Sequence, residues 1–264
     1  SVSVFDESGR SIDDNALFSA SKTEFLINAT ASKDFFKNTE KPEFTIKLED
    51  LNGALFNGDL SYELFELTPP NEEQRKKIKK LPGIIRPSYR ESYFRGKNDF
   101  VTLFETLDGK SISKGRWAVT KDKHEFGLSP LNEGVYRMSL STKDSLNRKV
   151  DAQLFFITAQ NGKKLSAFYI PEITLLSKSE YKIGETATLL FGSSEYPGHM
   201  VGFLLKHQLL IDNPIFKTSQ GIKVYDFKIT ESMFNGSSFV WFSVYDNEVI
   251  QGRQMVVVSN EHKR

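Results

Sequence analysis

The stretch YKIGETATLLFGSS, residues 181–194, reads as a turn opening onto a strand. Gly184 permits a sharp reversal, and Ala187 and Leu189 then alternate toward one face as the next strand begins. The same two-residue period recurs along the sequence. In KPEFTIKLED (41–50) the apolar set is Phe44, Ile46 and Leu48, with Thr45, Lys47 and Glu49 between them, so one face is buried and the other is wet. DLSYELFEL (59–67) repeats this through Leu60, Tyr62 and Leu64. Between the two runs lies LNGALFNG (51–58), whose two Asn-Gly pairs supply the positive φ that tight hairpin turns require. Aromatic residues make up 12% of the protein, with 22 Phe, and fall in alternating runs bounded by Gly, Asn, Asp and Pro. That is a strand signature, and it predicts an all-β protein.

Residues 68–100 break the pattern. TPPNEEQRKKIKK (68–80) opens with two prolines and acidic residues and then turns basic, an order that suits a short helix whose ends complement the backbone dipole. The irregular segment after it makes the whole an insertion lying on a sandwich. Strand pattern resumes at Phe100. KGRWAVTKDKHEFGLSPL (114–131) and EGVYRMSLSTKDSLNRKVDAQLFFIT (133–158) give three more runs. The last two form a hairpin through Asp144 to Asn147, with Tyr136, Met138 and Leu140 on one face. AQNGKKLSAFYIPE (159–172) is polar and turn-rich at its start and marks a domain boundary. About seven strands follow in the remaining residues, one of them short and running through Pro214 to Phe216, enough for a complete antiparallel sandwich. Trp241, Phe239 and Val224 are expected in or near its core. The first 37 residues offer two or three strands, too few to enclose a core. They are either the tail of a domain whose front lies upstream or a short module docked on the next sandwich.

At 264 residues the sequence is long enough for two ordinary domains. Lys and Arg number 35 against 34 Asp and Glu, so a net charge of +1 gives no whole-protein electrostatic attraction to nucleic acid or to an acidic membrane. Cysteine is absent, which excludes disulfides, Cys-ligated zinc and a thiol nucleophile. No window approaches the roughly 18 consecutive apolar residues of a membrane helix. The sequence starts at Ser1 without a Met or an apolar leader, which implies a removed targeting segment or a piece of something longer.

Residues with catalytic or ligating chemistry are few. His124, His199, His207 and His262 are not spaced as a metal pair on a helix face, and each reads as a surface or interface side chain. FGSSEYPG (191–198) lacks the second glycine of a nucleophile elbow, so Ser193 and Ser194 read as loop. Asp50, Asn52, Asn57 and Asp59 sit near glycines but miss the register of a calcium loop, and a hairpin turn accounts for them. The basic insertion carries Arg75, Lys76, Lys77, Lys79, Lys80, Arg86, Arg90, Arg95 and Lys97, with Tyr89, Tyr93 and Phe94 interleaved. Such a patch is able to track a phosphate backbone, yet no nucleic-acid-binding motif accompanies it, and a solvated excursion packing its aromatics on a sandwich is the simpler reading. Asn28 and Asn235 begin glycosylation sequons, relevant only in a eukaryotic secretory pathway. DESGR (6–10) and LDGKS (107–111) are turn chemistry. No catalytic, cofactor-binding or metal-binding residue is expected.

YKIGETATLLF, preceded by PEITLLSKSE (171–180) and followed by WFSVYDNEVIQG (241–252), resembles the Tyr-x-x-Gly-(Glu/Asp)-x-Ala entry of macroglobulin domains, the β-sandwich modules of the bacterial α-macroglobulin family. The middle of the sequence resembles the same kind of module, with Gly134 and Tyr136 in the family's Gly-x-Tyr before a late strand. The family's Asp-x-x-Gly turn stands here as DSLN, with Asn147 in place of Gly, which Asn tolerates because it visits positive φ. VSVFDESGR (2–10) resembles the late hairpin of yet another module. The resemblance implies tandem antiparallel sandwiches of the immunoglobulin and fibronectin type III sort, with one short helical insertion. It divides the sequence into residues 1–37 from a preceding or partial module, 38–160 with the insertion 68–100, and 161–264. It further implies a non-enzymatic scaffold segment of a bacterial endopeptidase inhibitor that traps proteases when whole, outside the cytoplasm, in the periplasm or cell envelope. Its partners would be neighbouring macroglobulin domains and, for the full-length protein, proteases, with no nucleic acid or membrane contact by this segment. No thioester lies within a sequence that has no Cys. A cell-surface immunoglobulin-like adhesin or carbohydrate-binding module is the alternative.

Overall fold

The computed structural model describes residues 2–5, 11–14, 22–73, 104–105, 107–160, 164–168, 173–193, 199–206, 209–210, 216–219, 221–234, 236–245 and 248–259. Strands β1 (Val2–Phe5) and β2 (Ser11–Asp14) form an antiparallel pair, Val2 opposite Asp14 and Phe5 opposite Ser11. Next come β3 (Leu26–Ala31), β4 (Phe36–Lys37), β5 (Glu43–Glu49), β6 (Leu55–Phe56), β7 (Gly58–Leu67), β8 (Gly109–Val119), β9 (Glu125–Gly127), β10 (Gly134–Lys143) and β11 (Lys149–Ala159). These make two facing sheets. One has the order β4-β11-β10-β7-β8, and in the other β5 pairs with β3, β6 and β9. All these pairings are antiparallel except the short β4 to β11 contact.

The second half holds β12 (Ile173–Leu176), β13 (Tyr181–Lys182), β14 (Thr186–Ser193), β15 (His199–Lys206), β16 (Leu209–Leu210), β17 (Phe216–Ser219), β18 (Gly221–Lys228), β19 (Ser237–Tyr245), β20 (Glu248–Val256) and β21 (Val258–Ser259). One sheet runs β12-β14-β18, and the other runs β16-β15-β19-β20 with β17 on the edge of β15. A parallel pair, β13 with β21, closes one end. The architecture is all-β, and the described residues include 3-10 turns at Leu165–Phe168 and Glu231–Met233.

The alternation read from the sequence places the cores. Phe44, Ile46 and Leu48 from β5, Leu60 and Leu64 from β7, and Tyr136, Met138 and Leu140 from β10 are all buried in one cluster between the first two sheets, with Tyr62 packed at its margin. Each fully buried side chain of this size contributes about 1.5–3 kcal/mol relative to exposure. A second cluster, between the later sheets, holds Ala187, Leu189 and Phe191 from β14 and Phe239 and Trp241 from β19. Trp241 lies directly between Gly202 of β15 and Gly252 of β20 in the strand register. A Cβ at Gly252 would come within 2.6 Å of the indole, and one at Gly202 within 2.2 Å of the Phe239 ring. These two glycines make the room that the large rings fill.

Three readings change. Val224 does not join Trp241 and Phe239: it stands opposite Leu190 and packs, partly buried, against a third cluster on the other face of its sheet. The first Asn-Gly pair does make a hairpin, from β5 to β6 through Gly53 at φ +83°, but Gly58 of the second pair lies in β7, which crosses to the opposite sheet. The reading that strand pattern resumes at Phe100 falls on a residue outside the described residues. Phe104 and Glu105 are helical, Phe104 is buried in the cluster that also holds Phe168, and β8 begins at Gly109. Ser193 is the last, buried residue of β14 rather than loop, and Ser194 lies outside the described residues. Of the helical insertion, Glu72 and Glu73 are helical, and the basic residues from Arg75 to Lys97 lie outside the described residues.

Candidate functional site

The opening stretch folds into a closed turn. Tyr181 is buried, its backbone N–H donates to Val257 O at 3.0 Å, and its phenol accepts from the Lys178 N–H at 3.0 Å and pairs with Ser177 Oγ at 3.2 Å. Burial pushes the Tyr181 hydroxyl up from its ordinary pKa, against the opposing effect of those hydrogen bonds. Gly184 has φ +88°, and its N–H donates to Ile229 O at 2.8 Å. The Glu185 carboxylate accepts from the Lys182 N–H at 3.0 Å and meets Lys178 Nζ at 3.3 Å, and these groups hold it below the usual range despite some burial. The Tyr, the Gly and the Glu thus each have a structural task. They fix where β14 begins, and hence which residues of β14 face each way.

The counterpart in the first half is the β10–β11 hairpin. Tyr136 donates to Asn132 O at 2.8 Å, and burial pushes its phenol up to about 12. At the hairpin tip Asn147 takes φ +61°, a conformation that Asn tolerates better than most residues. The Asp144 side chain is buried there and accepts from the N–H groups of Leu146, Arg148 and Glu24 and from Arg148 Nε at 2.7 Å. Burial by itself would raise its pKa. The Arg148 and Glu24 N–H groups and the Arg148 guanidinium outweigh that and hold the carboxyl below the ordinary aspartate range. A lowered folded pKa means that the stabilisation is present above the unfolded value and is lost as pH falls through the folded one. We therefore expect the stability gap between the wild type and Asp144→Asn to close as pH falls from about 6 to about 2, read from urea midpoints. A gap that stays constant would show that the carboxylate charge plays no part.

Where β14 faces away from its own core it meets the other half of the protein. One contiguous buried cluster takes Leu67, Val135, Phe155, Ile157 and Ala159 from the β4-β11-β10-β7-β8 sheet and Ile173, Leu175, Leu190 and Ile222 from the β12-β14-β18 sheet. Phe35, Phe104, Leu107, Leu165 and Phe168 plug it from the connecting segments. Its rim is polar. Lys37 Nζ lies 2.7 Å from Asp226 Oδ2, Thr188 Oγ1 donates to Asp226 Oδ1 at 2.8 Å, and the Asp34 N–H donates to Ser177 O at 3.0 Å. Partial burial pushes Asp226 up, and Lys37 and Thr188 bring it below its ordinary value. The rim ion pair is half-exposed, so screening limits it to at most about 1 kcal/mol, and the apolar cluster provides most of the adhesion.

The alternation did not announce this face, because Phe155, Ile157 and Leu190 sit one residue out of phase with their own sandwich cores. A signal was present all the same: ITLL (173–176), LLF (189–191) and LFFIT (154–158) are continuous apolar runs, the pattern of strands covered on both faces.

The candidate chemical residues are dispersed. His124 is half-buried with Nδ1 unpartnered, and His199 is exposed on β15. His207 and His262 lie outside the described residues. Asp50 caps its turn by accepting from the Asn52 and Ala54 N–H groups, each at 2.8 Å, and Asn57 accepts from the Lys121 N–H at 3.0 Å. Asn28 is exposed on β3 and donates to Glu49 Oε1 at 2.8 Å, and Asn235 lies outside the described residues. Among the described residues no group of three or more His, Cys, Asp or Glu could hold a metal ion, and no helix is long and apolar enough to cross a membrane. Many of the aromatic side chains, Trp241, Tyr136, Tyr181 and Phe35 among them, are fully buried rather than displayed.

The fold and this face define a class: an all-β protein of antiparallel sandwiches joined through a sheet-to-sheet apolar interface. No protein-family model matches the sequence, and no curated protein matches it. The solved structures it resembles include bacterial alpha-2-macroglobulins. Against trypsin-activated alpha-2-macroglobulin from Escherichia coli the identity is 14% and the TM-score 0.32, covering 90% of this chain and 17% of that one. For Escherichia coli alpha-2-macroglobulin activated by porcine elastase the values are 10% and 0.31, covering 97% and 24%. For Salmonella alpha-2-macroglobulin reacted with methylamine they are 13% and 0.34, covering 94% and 17%. The chain spans between a sixth and a quarter of the length of these proteins, and likenesses this loose carry no argument about activity.

Proposed function

We propose that this chain is a non-enzymatic scaffold segment of a bacterial macroglobulin-like endopeptidase inhibitor, working outside the cytoplasm by helping the whole protein to trap proteases. The observation that carries the reading is the apolar interface between the two sandwiches, reached through a Tyr-x-x-Gly-Glu-x-Ala turn of the kind that macroglobulin modules carry. A sheet covered on both faces transmits displacement instead of absorbing it, because a close-packed core is bistable rather than continuously deformable. We place the module boundary between the two sandwiches near residue 160. In place of a division at residue 37, this reading takes the strand Leu26–Ala31 into the middle module, and its pairing with β5 supports that choice.

Two measurements test this. Calorimetry of the protein should show one transition spanning both sandwiches, and Leu190→Ala should cost roughly 2–5 kcal/mol and split that transition in two. Two transitions in the wild type would mean the face is not a coupling element. Incubating the full-length protein with a broad-specificity protease should change its hydrodynamic shape, and an unaltered shape after cleavage would remove the trapping role.

A further inference from the structure

The β5–β6 turn carries a feature that the scaffold reading does not use. Asn52 precedes Gly53, and Asn57 precedes Gly58 five residues later, so two chemically equivalent Asn-Gly pairs sit in one local sequence. The structure treats them differently. Leu51, Asn52, Gly53 and Ala54 are all exposed. Gly53 has φ +83°, and a Cβ built on it would meet nothing within 4 Å. Asp50 and Leu51, which lead into the turn, border an open surface depression of about 480 Å³ that Ala152 and Gln153 also line. A single backbone bond, Gly53 N–H to Asp50 O at 3.1 Å, restrains the Gly53 nitrogen. Asn57 is fixed instead. Its side-chain oxygen accepts from the Lys121 N–H, Gly58 is paired with Val119 in the β7–β8 ladder, and a Cβ at Gly58 would lie 2.8 Å from Leu48 Cδ1.

We propose that Asn52 is a site of spontaneous covalent ageing, converting through a succinimide to isoaspartate and aspartate, while Asn57 is protected by the fold. In the first step the Gly53 backbone nitrogen attacks the carboxamide carbon of Asn52. A new C–N bond closes a five-membered ring, the bond from that carbon to the amide nitrogen of Asn52 breaks, the Gly53 amide proton passes to the departing nitrogen, and ammonia leaves. Water then opens the ring at either carbonyl. Opening at the backbone carbonyl yields isoaspartate, which sends the main chain through the former side chain, and opening at the other yields aspartate. No oxidant or cofactor is needed. The rate follows the ease of freeing the glycine nitrogen and rotating the Asn side chain onto it, and the free energy of that opening is small for an exposed turn and large for a ladder residue. Each increment of about 1.4 kcal/mol in opening free energy slows the step tenfold, so Asn57 should lag Asn52 by about tenfold or more in the folded protein. The isoaspartate product lengthens the turn by one backbone atom and displaces the N–H that Asn52 donates to Asp50.

The test ages the folded protein at 37 °C in mildly alkaline buffer beside a denatured sample. Each is digested at acid pH, and the Asn52 and Asn57 peptides are scored for the amide-to-acid mass change and for methyl transfer by an isoaspartyl methyltransferase. The expected result is isoaspartate at Asn52 and an intact Asn57 in the folded sample, with both positions converting at similar rates once denatured. Asn52→Gln should abolish the methyl signal assigned to this turn. Equal conversion of the two positions in the folded protein would overturn the proposal. So would an Asn52 that stays intact when folded but converts when denatured.

Discussion

Gly192→Ala is expected to cost about 4 kcal/mol or more, the largest effect expected of a methyl added at any of the described glycines. Gly192 has φ +147°, and an added Cβ would stand 2.2 Å from Gly221 O, 2.8 Å from Ile222 Cα and 3.1 Å from Gly221 C. All three obstacles are backbone of the neighbouring strand, so no side-chain rotation relieves them. Relief requires β14 and β18 to part where Gly192 pairs with Ile222, and Ile222 belongs to the cluster that joins the two sandwiches. The substitution therefore strikes both the second sandwich and its attachment to the first. Gly184→Val supplies the contrast. Nothing lies within 4 Å of a Cβ at Gly184, so the positive φ is the main violation, at about 1–2 kcal/mol. Denaturant titrations of the two variants separate these mechanisms. Similar midpoints for both would mean that the β14–β18 contact yields more readily than its backbone geometry implies.

Trp241→Ala should cost roughly 3–5 kcal/mol. The residue is 2% exposed and sits in a cluster with Phe191, whose ring centroid is 6.4 Å away. Its neighbours across the ladder on both sides are glycines, so neither cross-strand partner has a side chain to move into the space left by the indole. Phe242, the next residue, points to the other face at 40% exposure against Phe203, and Phe242→Ala should cost under about 1 kcal/mol. A loss below about 1 kcal/mol for Trp241→Ala would mean the inward face of β19 has been assigned wrongly.

The β5, β7 and β10 faces, the Asp144–Asn147 hairpin and the special backbone at Gly184 were all legible in the sequence, since each is a local consequence of strand alternation or of a residue that tolerates positive φ. Val224 was misplaced for an equally local reason. β18 is apolar toward both sides, and a two-residue period does not say which side belongs to which core. The second Asn-Gly pair misled because the same dipeptide serves a hairpin at Gly53 and a plain strand entry at Gly58, and only the identity of the pairing strand distinguishes them.

The amino-acid order by itself determined that this protein makes antiparallel strands, where most of them turn, and that some are apolar on both faces. Tertiary structure alone decided what covers those second faces: the outer face of one sandwich sheet lies on the outer face of another, with Phe35, Phe104 and Phe168 wedged in from segments far apart in the sequence. The reason is that burial of apolar surface has no direction of its own. A strand can declare that it needs covering, but the covering partner is selected only when shape, register and the rim contacts of Lys37 with Asp226 and of Asp34 with Ser177 come together in three dimensions.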